Sequence, residues 1–208
     1  MKPYSAKSIK NMSFKTYPFT GEWLGKYGCP EVGFNSLWYG KSGSGKSTEV
    51  LRFCNYLANN YGKVLFNSCE ERIGLSIQQK LEKHQLDSSK LLFFDNLTYE
   101  QLLEVASKRG YKFVVIDSIQ QMKFTNDQYA DFTKRFGKKR SLLLISKVNG
   151  KGKVRGGDEM LHNVDVKVQV DAGVAHIRSR FLEDGYRKIR LFGEEPTPKP
   201  KQGSLFNH

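Results

Sequence analysis

Short apolar runs recur along the first two thirds of the chain, each separated from the next by a stretch with helical spacing. Residues 34–39 (FNSLWY), 63–67 (KVLFN), 91–95 (LLFFD), 113–117 (FVVID) and 141–146 (SLLLIS) are nearly all apolar. Runs of that length and composition predict parallel strands buried on both faces. Between them, residues 47–60 carry Val50, Leu51, Cys54 and Leu57, residues 72–86 carry Ile73, Ile77 and Leu81, and residues 99–108 carry Leu102, Leu103 and Ala106. Residues 129–136 form a weaker helical stretch. Strand–helix alternation predicts an α/β fold, an open and mostly parallel sheet with helices on both faces. After Ser146 the pattern changes: residues 165–170 (DVKVQV), 174–181 (VAHIRSRF) and 187–192 (RKIRLF) alternate with period two, and Asp171-Ala172-Gly173 reads as a tight turn. This predicts a C-terminal antiparallel extension with one face in water.

The chain has 208 residues, 38% hydrophobic and 26% charged, which suits one globular domain with a sizeable core. Three segments are expected: a basic N-terminal arm over 1–29, an α/β core over 30–193, and a flexible Pro-rich tail over 194–208. No apolar run is long enough to span a membrane, and no signal-peptide pattern opens the chain. Cys29, Cys54 and Cys69 are odd in number and scattered, which predicts reduced thiols in the cytoplasm and argues against a zinc module. The net charge of +13 points to a polyanionic partner, nucleic acid first. The charge is clustered. Lys134, Arg135, Lys138, Lys139, Arg140, Lys147, Lys151, Lys153 and Arg155 fall in a stretch without an acid, and Arg178, Arg180, Arg187, Lys188 and Arg190 form a second group.

The chemistry is set by residues 40–48, which read Gly40-Lys41-Ser42-Gly43-Ser44-Gly45-Lys46-Ser47-Thr48. This is a complete phosphate-binding P-loop between a predicted strand and a predicted helix. Its glycines let backbone N–H groups converge on phosphate oxygens, and the helix adds its positive end. Lys46 is expected on the β- and γ-phosphates of ATP, and the Ser47 hydroxyl on Mg²⁺. Asp117 ends an apolar strand about seventy residues later, a Walker B pattern expected beside the P-loop and able to hold Mg²⁺ through water. Glu70 and Glu71 follow the second strand, where ligands of open α/β sheets bind. Glu70 is the candidate base that polarises the attacking water. An acidic first turn of the next helix would also place these two carboxylates there.

The segments GKSGSGKST, VLFNSCEERIGLSIQQKLEKHQL and YKFVVIDSIQQM, followed by a basic loop and a terminal hairpin, resemble the RecA-like ATPase core over roughly residues 30–192. They are similar in particular to the RadA/Sms branch and to DnaB-type helicases. The resemblance implies a RecA-type sheet with the P-loop and Walker B on neighbouring strands, Glu70 as catalytic glutamate, and rings or filaments with ATP between subunits, a hexamer being the expected assembly. It places Lys147 where the family senses the γ-phosphate with Gln or His. It places Arg178 and Arg180 where a Lys-x-Arg pair reaches the neighbour's ATP, Arg178 replacing the Lys and Leu182 the following Gly. It sets residues 149–157, with Lys151, Lys153 and Arg155, on the loop that contacts single-stranded DNA. The chain looks like a minimal core of the kind phages and mobile elements encode.

The reading is an ATP-dependent, single-stranded-DNA-binding ATPase of recombination or replication. Two other classes share parts of the pattern, a P-loop nucleotide kinase and a KaiC-like nucleotide-gated switch. Separately, Gln202, Leu205 and Phe206 in the tail resemble the Q-x-x-L-F peptide with which bacterial proteins dock on the sliding clamp, with Leu205 and Phe206 as apolar anchors.

Overall fold

In a computed structural model, residues 3–149, 152, 154 and 158–191 are described. In chain order the elements are α1 (Ala6–Lys10), α2 (Gly21–Tyr27), β1 (Asn35–Gly40), α3 (Lys46–Asn60), β2 (Lys63–Ser68), α4 (Leu75–Lys83), β3 (Leu91–Asp95), α5 (Tyr99–Ser107), β4 (Tyr111–Asp117), α6 (Ile119–Met122), α7 (Asn126–Phe136), β5 (Ser141–Lys147), α8 (Asp158–Asn163), β6 (Val166–Asp171), β7 (Val174–Ser179) and β8 (Tyr186–Arg190). The strands form one eight-stranded sheet in the order β3-β2-β4-β5-β1-β6-β7-β8. From β3 to β6 every pairing is parallel; β6–β7 and β7–β8 are antiparallel. The expected α/β fold with a C-terminal antiparallel extension is what forms.

Side chains alternate across the strands and feed a core on each face. Leu143 and Ile145 of β5 join Trp38, Val115 and the buried side of α3. Leu142 and Leu144 join Leu37, Val114 and the buried residues of α5 and α7. Both α5 and α7 open with a capping box, Thr98 with Gln101 and Thr125 with Gln128, each satisfying two backbone donors that the helix leaves unpaired. The β6–β7 connection is the expected tight turn: Ala172 and Gly173 both have positive φ, 45° and 77°, the geometry that matches strand twist. The three cysteines are free. Among the described residues no helix is long and apolar enough to cross a membrane.

Three expectations change. First, β5 lies between β1 and β4, pairing in parallel with both, so the P-loop strand and the Walker B strand are not neighbours. Apolar periodicity is local and carries no information about which strand sits beside which. Second, residues 1–29 are not one basic arm. Helix α1 buries nothing, but Tyr17, Phe19, Trp23 and Tyr27 are core residues. Trp23 and Tyr27 each lie 4.9 Å from Phe53 of α3, ring centre to ring centre. The same segment places Lys26, 4% exposed, 2.7 Å from the fully buried Glu49 of α3. Arg52 bridges Glu49 and Glu22 at 2.8 Å each, which closes the network around two charges that could not be buried alone. Third, the helix expected over 72–86 starts later and ends sooner. Arg72 adopts a positive φ of 55° and Gln85 one of 52°, and of its apolar stripe Ile77 is buried while Ile73 is 57% exposed.

Candidate active site

The P-loop leaves the carboxyl end of β1 and turns into α3. Gly40 passes so close to β6 that a Cβ there would lie 2.0 Å from the Val170 carbonyl oxygen. Gly45 caps α3 with φ 99°, a left-handed conformation that other residues rarely adopt. Residues 40–48 therefore turn tightly from β1 into a helix N-terminus, a geometry suited to a phosphate. Lys46 is folded back into that turn, 6% exposed, its ammonium donating to the Lys41 carbonyl at 2.7 Å and reaching the Ser44 hydroxyl at 3.5 Å. Burial lowers the Lys46 pKa, and the charges of Glu70 and Asp117 partly offset this.

A cleft of about 240 Å³ opens between the P-loop, the end of β5 and the segment after β2, with Lys46, Ser47, Glu70, Glu71 and Lys147 on its walls. Although β5 separates β1 from β4, Asp117 still comes within reach of α3: the Ser47 hydroxyl is near enough to stabilise its charged form. Its Oδ1 is buried without a hydrogen-bond partner. An orphaned carboxylate oxygen beside a hydroxyl suits Mg²⁺, which takes one or two protein oxygens and keeps water and phosphate as its other ligands. Ser47 and Asp117 thus fit the ion.

The Asp117 carboxyl is pushed up to about 6, first by burial and then by the charge of Glu70, with the Ser47 hydrogen bond pulling the other way. Between 3.8, its unperturbed value, and about 6 the folded protein holds a proton that the unfolded chain releases. Stability therefore falls as pH rises through that window. Two units correspond to up to about 3 kcal/mol. Asp117→Asn is expected to melt above wild type at about pH 7 and level with it at about pH 4, without nucleotide, while losing Mg²⁺-dependent nucleotide binding. Melting curves at the two pH values check this; equal stability at the higher pH would mean that the charge is already compensated.

The two glutamates are held differently. Glu71 pairs with Lys80 of α4, whereas Glu70 pairs with Lys147 at 2.7 Å. The main-chain N–H groups of Cys69 and Glu70 both donate to the Asp117 carbonyl, at 2.7 and 2.9 Å, so the Glu70 backbone is tied to the Walker B strand end. Gln120, which the sequence did not single out, links that strand's far side to β5. Its Nε2 donates to the Ser146 hydroxyl at 2.7 Å, and its Oε1 accepts from the Lys147 N–H at 3.2 Å. A polar residue in a short helix after an apolar strand gives no pattern from which to read that bridge.

Arg178 and Arg180 do not join this cleft. Arg178 pairs in register with Lys167, and Lys167 with Leu37 near the start of β1. Arg178 is therefore about 10 Å along the sheet from Gly40 and about 10 Å across it. It borders a cavity of about 520 Å³ with Tyr39 and Tyr186. Arg180 lies past the end of β7 and pairs with Asp165 at 3.1 Å. It borders a cavity of about 780 Å³ at the amino ends of the parallel strands; that cavity is larger than the P-loop cleft but carries neither the P-loop nor the paired glutamates. Lys151, Lys153 and Arg155, expected to contact DNA, and the tail residues Gln202, Leu205 and Phe206 lie outside the described residues.

No family model matches the chain. It is 32% identical over 83 residues to the DNA repair protein RadA of Campylobacter jejuni, a match covering 40% of this chain and 18% of that protein. It is 28% identical over 168 residues to RadA of Salmonella typhimurium, covering 74% and 36%. The matches thus span well under half of these relatives' length. The fold is similar to that of a KaiC-like protein from Pyrococcus horikoshii, with a TM-score of 0.56 at 17% identity over 76% of this chain and 84% of that one. The P-loop motif, the sheet order and these similarities together support a RecA-like P-loop fold.

Proposed function

We propose that the protein hydrolyses ATP to drive a transaction on single-stranded DNA in recombination or replication, as a ring of identical copies. The observation that carries the ATPase reading is a cleft shared by the P-loop and Glu70, with Asp117 buried near Ser47 on its wall. In it the backbone of residues 40–48 and Lys46 hold the triphosphate, Lys46 exchanging the Lys41 carbonyl for phosphate oxygens. Ser47 and Asp117 hold Mg²⁺, which when bound neutralises charge on the β- and γ-phosphates. Water attacks the γ-phosphorus and gives a proton to Glu70, the bond to the β-bridging oxygen breaks, and ADP and phosphate result. Arg178 and Arg180 of a neighbouring copy complete the site, and Lys151, Lys153 and Arg155 contact DNA phosphates. The similarity to proteins named for DNA repair and the net charge of +13 support DNA as the partner.

The test is the rate of ATP hydrolysis with oligo-dT, with nucleoside monophosphates, and with neither. Stimulation by oligo-dT is expected, fading with salt as binding weakens by a slope of roughly 0.7 per phosphate contacted. Appearance of a nucleoside diphosphate from the monophosphate would make the protein a kinase. A rate indifferent to both would favour a KaiC-like switch.

A further inference from the structure

We propose that Lys147 restrains Glu70 until a γ-phosphate draws the lysine away, so that the base is released only when the site holds ATP; this rests on the reading of Glu70 as the base of an ATP site. The 2.7 Å ion pair spans the cleft where the terminal phosphate would sit, and neither side chain is deeply buried, at 29% and 27% exposed. While the ammonium occupies a Glu70 oxygen, that oxygen is not available to a water proton.

The backbone behind Lys147 is held on both sides. Gln120 grips the Lys147 N–H and the Ser146 hydroxyl, and the Val148 N–H donates to the Gly40 carbonyl at 3.3 Å. The end of β5 is thus pinned between the P-loop strand and the segment after Asp117, and motion is left to the lysine side chain. That side chain is a point charge on a flexible stem with three donors.

Electrostatics decides which partner it takes. Without nucleotide, Lys46 and Lys147 face Glu70 and Asp117, and Glu70 is close enough to act on both Lys46 and Asp117. An incoming γ-phosphate has more charge than one carboxylate, and Coulomb attraction scales with that charge at equal distance. Lys147 moves to the phosphate, Glu70 is freed beside the attacking water, and departure of phosphate restores the pair. Glu71 has no such link, because its partner Lys80 belongs to α4 and not to the strand beside the P-loop.

A water-soluble carbodiimide tests this. It joins a carboxylate to an amine in contact with it, taking up the elements of water to leave as a urea while a Cδ–Nζ amide forms. Peptide mapping by mass spectrometry should find the Glu70–Lys147 amide in nucleotide-free protein and with MgADP. A saturating non-hydrolysable MgATP analogue should reduce it several-fold, relative to the remote Glu22–Lys26 pair as internal standard. Lys147→Arg should remove the amide and so assign the peptide. Lys46→Ala, unable to bind the analogue, should keep the amide in its presence. An amide undiminished by analogue whose binding calorimetry confirms would overturn the restraint while leaving the ATP site standing. So would its absence from free protein in which the standard forms. If calorimetry finds no analogue binding at all, the ATP-site reading fails and the restraint with it.

Discussion

Glu70→Gln is expected to bind MgATP as wild type does and to hydrolyse it about 10²–10⁴ times more slowly, the contribution usual for a general base. The amide keeps the size of the side chain and its place on the strand end tied to the Asp117 carbonyl, but it cannot take a proton from water. Nucleotide binding by fluorescence and single-turnover hydrolysis measure the two halves separately. Lys46→Ala should lose both, because its ammonium serves binding and transition state alike. Glu71→Gln is the control: that carboxylate is occupied by Lys80 and Ser76 on the α4 side of the cleft. Wild-type turnover in Glu70→Gln, with loss in Glu71→Gln, would shift the base by one residue.

Arg178→Ala is expected to lower turnover by about 10³-fold, the scale of an arginine finger. The register sets Arg178 level with Leu37 and away from the chain's own P-loop, which suits action on a neighbouring copy. Arg180→Ala should act in the same direction, although Arg180 must first give up Asp165. Action between copies has a kinetic signature. Mixing Arg178→Ala with Lys46→Ala subunits places an intact P-loop against an intact finger at some interfaces, so turnover should reappear in a mixture of two inactive proteins. A monomer with full turnover, or a mixture as inactive as its parts, would remove the finger role.

Much of the architecture was legible because buried parallel strands announce themselves as apolar runs, and the reacting groups of such sheets sit where those runs end. Gly40, Asp117 and Lys147 are the last residues of β1, β4 and β5, and Glu70 follows β2 by two residues. What stayed hidden was non-local. The order of the strands depends on which crossover goes where, so β5 between β1 and β4 left no mark on any window of sequence. Residues 17–27 were masked by their lysine-rich surroundings; the signal was there in Trp23 and Tyr27, one helical turn apart. The length of α4 depended on Arg72 taking a conformation that its identity does not announce. Arg178 and Arg180 are two apart and would share a strand face, but β7 ends at Ser179, between them.

The charge network around Glu49 joins the N-terminal segment to phosphate chemistry by an indirect route. Glu49 lies in the first turn of α3, the helix whose amino end forms the cradle, and Lys26 is its buried counter-ion. An expression form cut at residue 30, where composition alone would put the boundary, leaves Glu49 with Arg52 as its remaining partner in that network and strips Trp23 and Tyr27 from Phe53. Losing Lys26 destabilises α3 by less than the roughly 3–5 kcal/mol of a buried charge left with no partner, because Arg52 stays. Such a truncation would hold nucleotide more weakly because α3 loses its aromatic cover and one of the two counter-ions of Glu49, and the weakening would mimic the loss of a regulatory arm.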